Sequence, residues 1–376
     1  MGMSILRLCV AVGFLLGVGQ TQTFPSQKDA GSHRGPASTE RARINLTLLD
    51  TVSPWTRLKK ERHPGVSSPS VSVIAESPNQ QLVAWGDGQG NVFLWSRLRK
   101  SVRVLKDVTL GKAPTLKEET GLHGVLDMRF RDDQTVVGLS GQLEVSAWRV
   151  SLGQGKPTLD EMASANDVAF SAVLVDGSFV QCVAYKGGVL AHLLWVGCVL
   201  EKYSTKTGRY QETCRIYPQK RGQHHEVETM AVSPDCKLVA IGSECNAGVV
   251  SVAPFKLVRS LGVDCGRGLA FSPDGSRLAV STIRGEVFVF SVADGQLVKQ
   301  FTVSSSSASI DAVAFVSNDV LVVGHSVGVF WLNVLTGQTS LAADMGGAPK
   351  ALLVSRDGRR LYAGCYGSIL KVLELP

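Results

Sequence analysis

Short apolar runs, broken at near-regular intervals by turn-forming residues, constrain this chain more than any other feature. The clearest stretch is 266–301, where apolar runs at 269–271, 277–281, 287–292 and 296–301 alternate with three breaks. The breaks are Ser272-Pro273-Asp274-Gly275, Ile283-Arg284-Gly285 and Ala293-Asp294-Gly295. Proline presets the turn dihedral and glycine supplies positive φ, so each break reverses an antiparallel strand. The unit is a four-stranded meander. One such sheet cannot bury both its faces alone, so the chain has to repeat it.

The repeat has a readable phase. Its first turn falls near Pro78, Asp132, Asp176, Pro234, Pro273, Ser317 and Arg356. A glycine opening the next hairpin follows nine to fourteen residues later, at Gly90, Gly141, Gly188, Gly248, Gly285, Gly328 and Gly367. The next strand is apolar and often aromatic: 92–95, 143–148, 189–195, 249–253, 287–290, 329–331 and 369–375. Hydrophobic residues at 44%, charged residues at 19% and 39 glycines suit many short strands joined by tight turns. Long amphipathic helical patterns are few, which argues against an α/β enzyme. The spacing predicts an all-β fold over 44–376, a seven-bladed β-propeller of four-stranded antiparallel blades. The seventh copy reaches Pro376 just after its third strand, so an N-terminal strand at 44–52 is expected to close the ring. Glycine-to-glycine steps longer than the rest predict insertions at 100–122 and 198–226, the first places to seek a contact surface.

Ahead of the propeller, residues 1–20 carry Arg7 and then an apolar run from 8 to 19, too short for a comfortable membrane span. They predict a signal peptide or a short hydrophobic anchor, followed by a disordered linker at 21–43 rich in Ser, Gln, Gly, Lys and Arg. Asn45-Leu46-Thr47 is an N-glycosylation sequon that gains weight if the leader is real. The expected location is the secretory pathway, in the endoplasmic reticulum lumen or outside the cell; the alternative is the cytoplasm, with membrane contact only through 8–19. Eight cysteines include no CxxC pair, so they read as small buried hydrophobes within strands, or as disulfides in an oxidising compartment.

No catalytic motif, cofactor site or metal-ligand constellation stands out. Gly86-Asp87-Gly88-Gln89-Gly90 lies between two strands and reads as a hairpin turn, not a phosphate cradle. His224 and His225, beside Glu226 and Glu228, offer metal-ligand chemistry; on an extended segment they point to opposite faces, which favours an exposed connecting loop. Arg97, Arg99, Ser101 and Arg103 alternate along an expected fourth strand, placing three arginines on one face. There they guard a sheet edge or grip carboxylates and phosphates. These arginines and the two histidines are the candidate partner-binding residues. Net charge of +7 favours acidic partners, but the aromatic interleaving of nucleic-acid binders is missing. Ser304 to Ser307 read as a flexible connector between blades.

The runs SPDGSRLAVSTIRGEVFVFSV (272–292), SPDCKLVAIGSECNAGVVSV (233–252) and SRDGRRLYAGCYGSILKVLEL (355–375) resemble WD40 repeats. No Trp-Asp dipeptide closes a third strand, where Trp95-Ser96, Trp148-Arg149 and Phe290-Ser291 stand instead, so the resemblance is to a divergent member. It implies a propeller closed N-to-C that serves as a non-enzymatic platform for other proteins, a monomeric disc acting within a complex through its faces and the two insertions. A fainter likeness, over 224–242 and the blade after it, is to the propeller exchange factors that load the small GTPase of coat assembly on the endoplasmic reticulum. That likeness implies guanine-nucleotide exchange. A secreted ligand-binding propeller is the third alternative.

Overall fold

The structure, a computed structural model, describes residues 44–58, 69–106, 124–141, 145–153, 156–165, 171–184, 198–216, 227–243, 246–263, 268–303 and 308–376. The leader at 1–20, the linker at 21–43, His224, His225 and Ser304 to Ser307 lie outside these residues. So do 107–122 of the first expected insertion and 217–226 of the second.

The chain enters through β1 (Thr47–Val52) and the one-turn helix α1 (Pro54–Leu58). Blade 1 holds β2 (Val71–Glu76), β3 (Leu82–Asp87), β4 (Val92–Ser96) and β5 (Ser101–Lys106). Blade 2 holds β6 (Val125–Asp132), β7 (Thr135–Gly141), β8 (Val145–Ser151) and β9 (Thr158–Ala165). Blade 3 holds β10 (Ala172–Val175), β11 (Ser178–Ala184), β12 (Cys198–Ser204) and β13 (Tyr210–Arg215). Blade 4 holds β14 (Val227–Val232), β15 (Leu238–Ser243), β16 (Asn246–Val252) and β17 (Phe255–Ser260). Blade 5 holds β18 (Leu269–Phe271), β19 (Arg277–Ser281), β20 (Glu286–Ser291) and β21 (Leu297–Thr302). Blade 6 holds β22 (Ala312–Ser317), β23 (Val320–His325), β24 (Gly328–Asn333) and β25 (Thr339–Asp344). The last sheet holds β26 (Ala351–Val354), β27 (Arg360–Gly364) and β28 (Leu370–Glu374), with β1 antiparallel to β28 as its fourth strand. First strands β2, β6, β10, β14, β18, β22 and β26 touch in that order, and β26 returns to β2. The seven sheets therefore form a ring, a seven-bladed β-propeller.

Period-two alternation builds the core between blades. In blade 1, Val83, Trp85, Phe93, Trp95 and Val102 point toward the last blade and pack with Val52, Tyr362, Leu370 and Val372. Ala84, Leu94 and Leu105, on the opposite face, pack with Met128, Phe130 and Trp148 of blade 2. Each fully buried side chain of this size contributes about 1.5–3 kcal/mol. Close approach is enforced where the second strand meets the next blade. A Cβ on Gly86 would lie 2.5 Å from the Val125 side chain, and one on Gly364 equally close to Val71.

The seam between the last blade and blade 1 is stitched by side-chain hydrogen bonds. Trp85 Nε1 donates to Ser368 O at 2.8 Å, Trp55 Nε1 of α1 donates to Gly367 O at 2.8 Å, and Ser368 Oγ donates to Asp87 Oδ2 at 2.8 Å. At the other end of the seam, buried Glu76 accepts the Tyr362 hydroxyl at 2.7 Å and the Arg356 backbone N–H at 2.7 Å.

Several sequence expectations need correction. Most of 198–226 is not an insertion, because 198–204 and 210–215 are the third and fourth strands of blade 3. Gly188 and the strand expected at 189–195 lie outside the described residues, and the third strand of the blade is 198–204. Gly248 does not open a hairpin; it lies inside β16, paired with Ile241 and Ser260. The expected insertion at 100–122 likewise begins only after β5. Among the described cysteines, Cys214, Cys236 and Cys365 are free thiols, and Cys236 sits in a turn instead of a strand.

Candidate functional site

In each meander the turns after the first and third strands emerge at one face of the ring, and the turn after the second strand emerges at the other. The first face is built on one repeated device. Ser77, Ser233, Ser272 and Ser355 each accept the backbone N–H five residues on at 2.9–3.0 Å, through Oγ. The same hydroxyls donate to Asn79, Asp235, Asp274 and Asp357, which in turn cap the backbone N–H two residues on. The Ser233 hydroxyl beside Asp235 and the Ser272 hydroxyl beside Asp274 hold both carboxyls below the ordinary range. At Asp357 burial pushes the other way, and hydrogen bonds from Ser355 and Arg359 outweigh it.

Between blades 1 and 2 this face opens into a cleft of about 620 Å³. Leu82, Leu94 and Leu152 line it together with Asn79, Gln81, Ser96, Ser101, Asp133 and Gln134. Arg99, Arg103 and Leu98 complete the lining, and Leu98 is 75% exposed. The register explains the placement: Leu94 pairs Arg103 and Ser96 pairs Ser101, so these side chains share the sheet face turned to blade 2. Blades diverge with distance from the axis, and here the gap is edged by polar residues instead of being filled. Asp133 Oδ1 accepts the Asn79 N–H at 2.8 Å and ties the two blades across it.

The three candidate arginines part company. Arg97 and Arg99 are not on the fourth strand, because the chain turns at 97–100, where Lys100 adopts φ +50°, and β5 begins at Ser101. Arg97 points back into the seam, with Nη1 2.6 Å from Gln80 O and 3.4 Å from Glu76 Oε1. It is a structural residue. Arg99 and Arg103 both line the cleft, are exposed, and form no ion pair among the described residues. The cleft's leucines and carboxamides were missed in the sequence, because they become neighbours only through packing between blades. Asn45 is exposed just before β1, where Leu46 N donates to Ala342 O at 2.7 Å.

On the opposite face, Lys350 pairs with Asp311 and lies 5.6 Å above the Tyr366 ring. Ile283, Val327 and Tyr366 stand exposed at equivalent turns of blades 5, 6 and 7. The 87–91 segment is the hairpin turn expected of it: Asp87 is fully buried, accepts from Asn91, Ser368 and Gln89, and is held above the ordinary carboxylate range by burial. Burial lowers the pKa of His325 below the ordinary imidazole value. Among the described residues no group of three or more His, Cys, Asp or Glu side chains is placed to hold a metal ion, and no helix is long and apolar enough to cross a membrane.

Residues 230–318, from β14 into β22, match the family model of the anaphase-promoting complex subunit 4 WD40 domain. No curated protein matches the chain. The crystal structure of Saccharomyces cerevisiae Sqt1 superposes with a TM-score of 0.57 at 14% identity, covering 89% of this chain and 100% of that one. In all, 1703 solved chains match, and a fold by itself selects no partner. Seven four-stranded blades in a ring make the chain a seven-bladed β-propeller, and the WD40 match over residues 230–318 supports a divergent WD40-repeat member.

Proposed function

We propose that the protein is a non-enzymatic platform that binds partner proteins on its propeller surface, as WD40 propellers typically do. The observation that carries this reading is the blade 1–2 cleft, where exposed Arg99 and Arg103 form no ion pair among the described residues, beside exposed Leu98, although neighbouring Arg97 is held by Gln80 and Glu76. Apolar anchors beside unspent arginines are what partner surfaces use. The exchange-factor alternative rests on sequence likeness alone.

Photo-crosslinking tests the platform reading. A benzophenone amino acid replaces, one at a time, Leu98 at the cleft, Leu335 at the equivalent turn of blade 6, and Tyr366 on the opposite face. A discrete adduct with one other protein, dependent on the position substituted, is expected. No adduct at any of the three would overturn the reading. For the location we propose the secretory pathway. Exposed Asn45 leaves its sequon accessible, and a glycosidase-sensitive mass shift that is lost in Asn45→Gln is the expected result.

A further inference from the structure

We infer that the cleft between blades 1 and 2 takes an acidic peptide segment carrying an apolar anchor residue. This rests on the platform reading and names the chemistry of the occupant. The floor, Leu82, Leu94 and Leu152, fits an apolar side chain, and Leu94 and Leu152 are buried at its base. The wall from blade 1 supplies Arg99 and Arg103, whose guanidiniums offer paired donors matched to carboxylates. Gln81 and Gln134, on opposite sides, are side-chain amides able to meet a peptide main chain.

Among the described residues that line the cleft the one carboxylate is Asp133, which already accepts the Asn79 N–H. Two cations against one partly engaged anion leave a positive excess, consistent in sign with the net charge of +7. That complementarity selects an acidic occupant over a neutral one. A nucleic acid would use the same charges, but among the described residues no exposed aromatic side chain lines the cleft for base stacking.

The test uses fluorescence polarisation with the full chain and a fluorescein-labelled peptide of alternating Glu, Asp and Leu. Its counterpart has Gln and Asn in place of the acids. The acidic peptide is expected to bind about tenfold or more tightly than the amide version, and more weakly as salt rises. Arg99→Glu with Arg103→Glu should remove at least about tenfold of that affinity, and Arg99→Lys with Arg103→Lys should retain part of it. Arg209→Glu, an exposed residue at the equivalent turn of blade 3, should change nothing. Unchanged far-ultraviolet circular dichroism and melting of each variant establish that the fold is intact.

Equal affinity for the two peptides, or insensitivity to the double reversal, would overturn the inference. Displacement by millimolar inorganic phosphate alone, or tighter arginine-dependent binding of a deoxyadenosine decamer, would overturn it too. A protein adduct at Leu98 without acidic-peptide binding would sink this inference and leave the platform reading standing. Acidic-peptide binding without any adduct would do the reverse.

Discussion

At the scale of single residues, the Ser-x-Asx turns show how far local chemistry carries. Ser272-Pro273-Asp274-Gly275 is legible because proline, aspartate and glycine each have a fixed turn role, and Gly275 takes φ +72°. The same turn in blade 4 places Cys236 at φ +59°, and in blade 1 places Gln80 at φ +60°. A left-handed conformation costs a non-glycine residue about 1–2 kcal/mol, partly offset by the chain entropy that glycine loses on folding. Cys236→Gly is therefore expected to stabilise the fold by about 0.5–1 kcal/mol. Gly358→Ala, where φ is +69° and an added Cβ meets nothing within 4 Å, should destabilise it by about 1 kcal/mol through backbone strain alone. Urea midpoints at unchanged slope check both.

The turn carboxylates also set an acid limit. Asp235, Asp274 and Asp357 titrate below the ordinary value of 3.8, so they stabilise the folded chain fully above that pH, and the contribution is lost as pH falls through their lower folded values. Asp274→Asn should lower the urea midpoint at pH 7, and that effect should shrink progressively as pH falls below 3.8. The arginines show the opposite lesson. Arg97, Arg99, Ser101 and Arg103 alternate as a strand would, and no proline or glycine interrupts them, so nothing local signals that Lys100 turns the chain.

At the scale of elements, β1 is the test of how the ring holds together. Leu48 and Leu49 are exposed on it, whereas Val52 is fully buried between the last blade and blade 1. Val52→Asp should cost about 3 kcal/mol or more by burying an unpaired charge, while Leu49→Asp should stay within about 0.5 kcal/mol. The same seam holds Tyr362. Burial, then the hydrogen bond to Glu76, drives its hydroxyl far above the ordinary tyrosine range, so it remains a donor. Tyr362→Phe leaves one oxygen of a buried carboxylate with only Arg97 near it and should cost about 1–3 kcal/mol.

Blade 3 shows where element reading fails. The apolar run at 189–195 outweighs 198–204 in any hydrophobic pattern, yet the third strand is Cys198–Ser204, whose Glu201 and Lys202 look like loop residues. Tertiary partners explain them: Lys202 pairs with Glu212 at 3.3 Å and lies 6.0 Å above the Phe255 ring of blade 4, and Glu201 accepts the Tyr203 hydroxyl. The seven-fold count survived because six other copies carried the period.

At the scale of the whole molecule, the ring gives each blade the same exits and lets sequence decide which are used for structure. The repeated turns and hairpin glycines made the architecture legible. The cleft was legible only as two cationic residues, because its leucine floor and carboxamide edges come from strands and turns of two neighbouring blades that only packing brings together. On the proposed reading, this cleft is where the platform receives its partner. Hydrogen–deuterium exchange of the full chain, with and without the acidic peptide, tests it most directly. Slowed exchange confined to residues 79–82, 97–103, 133–134 and 152–153 is the result predicted; unchanged exchange there, or protection centred on the turns of Ile283, Val327 and Tyr366, would contradict it.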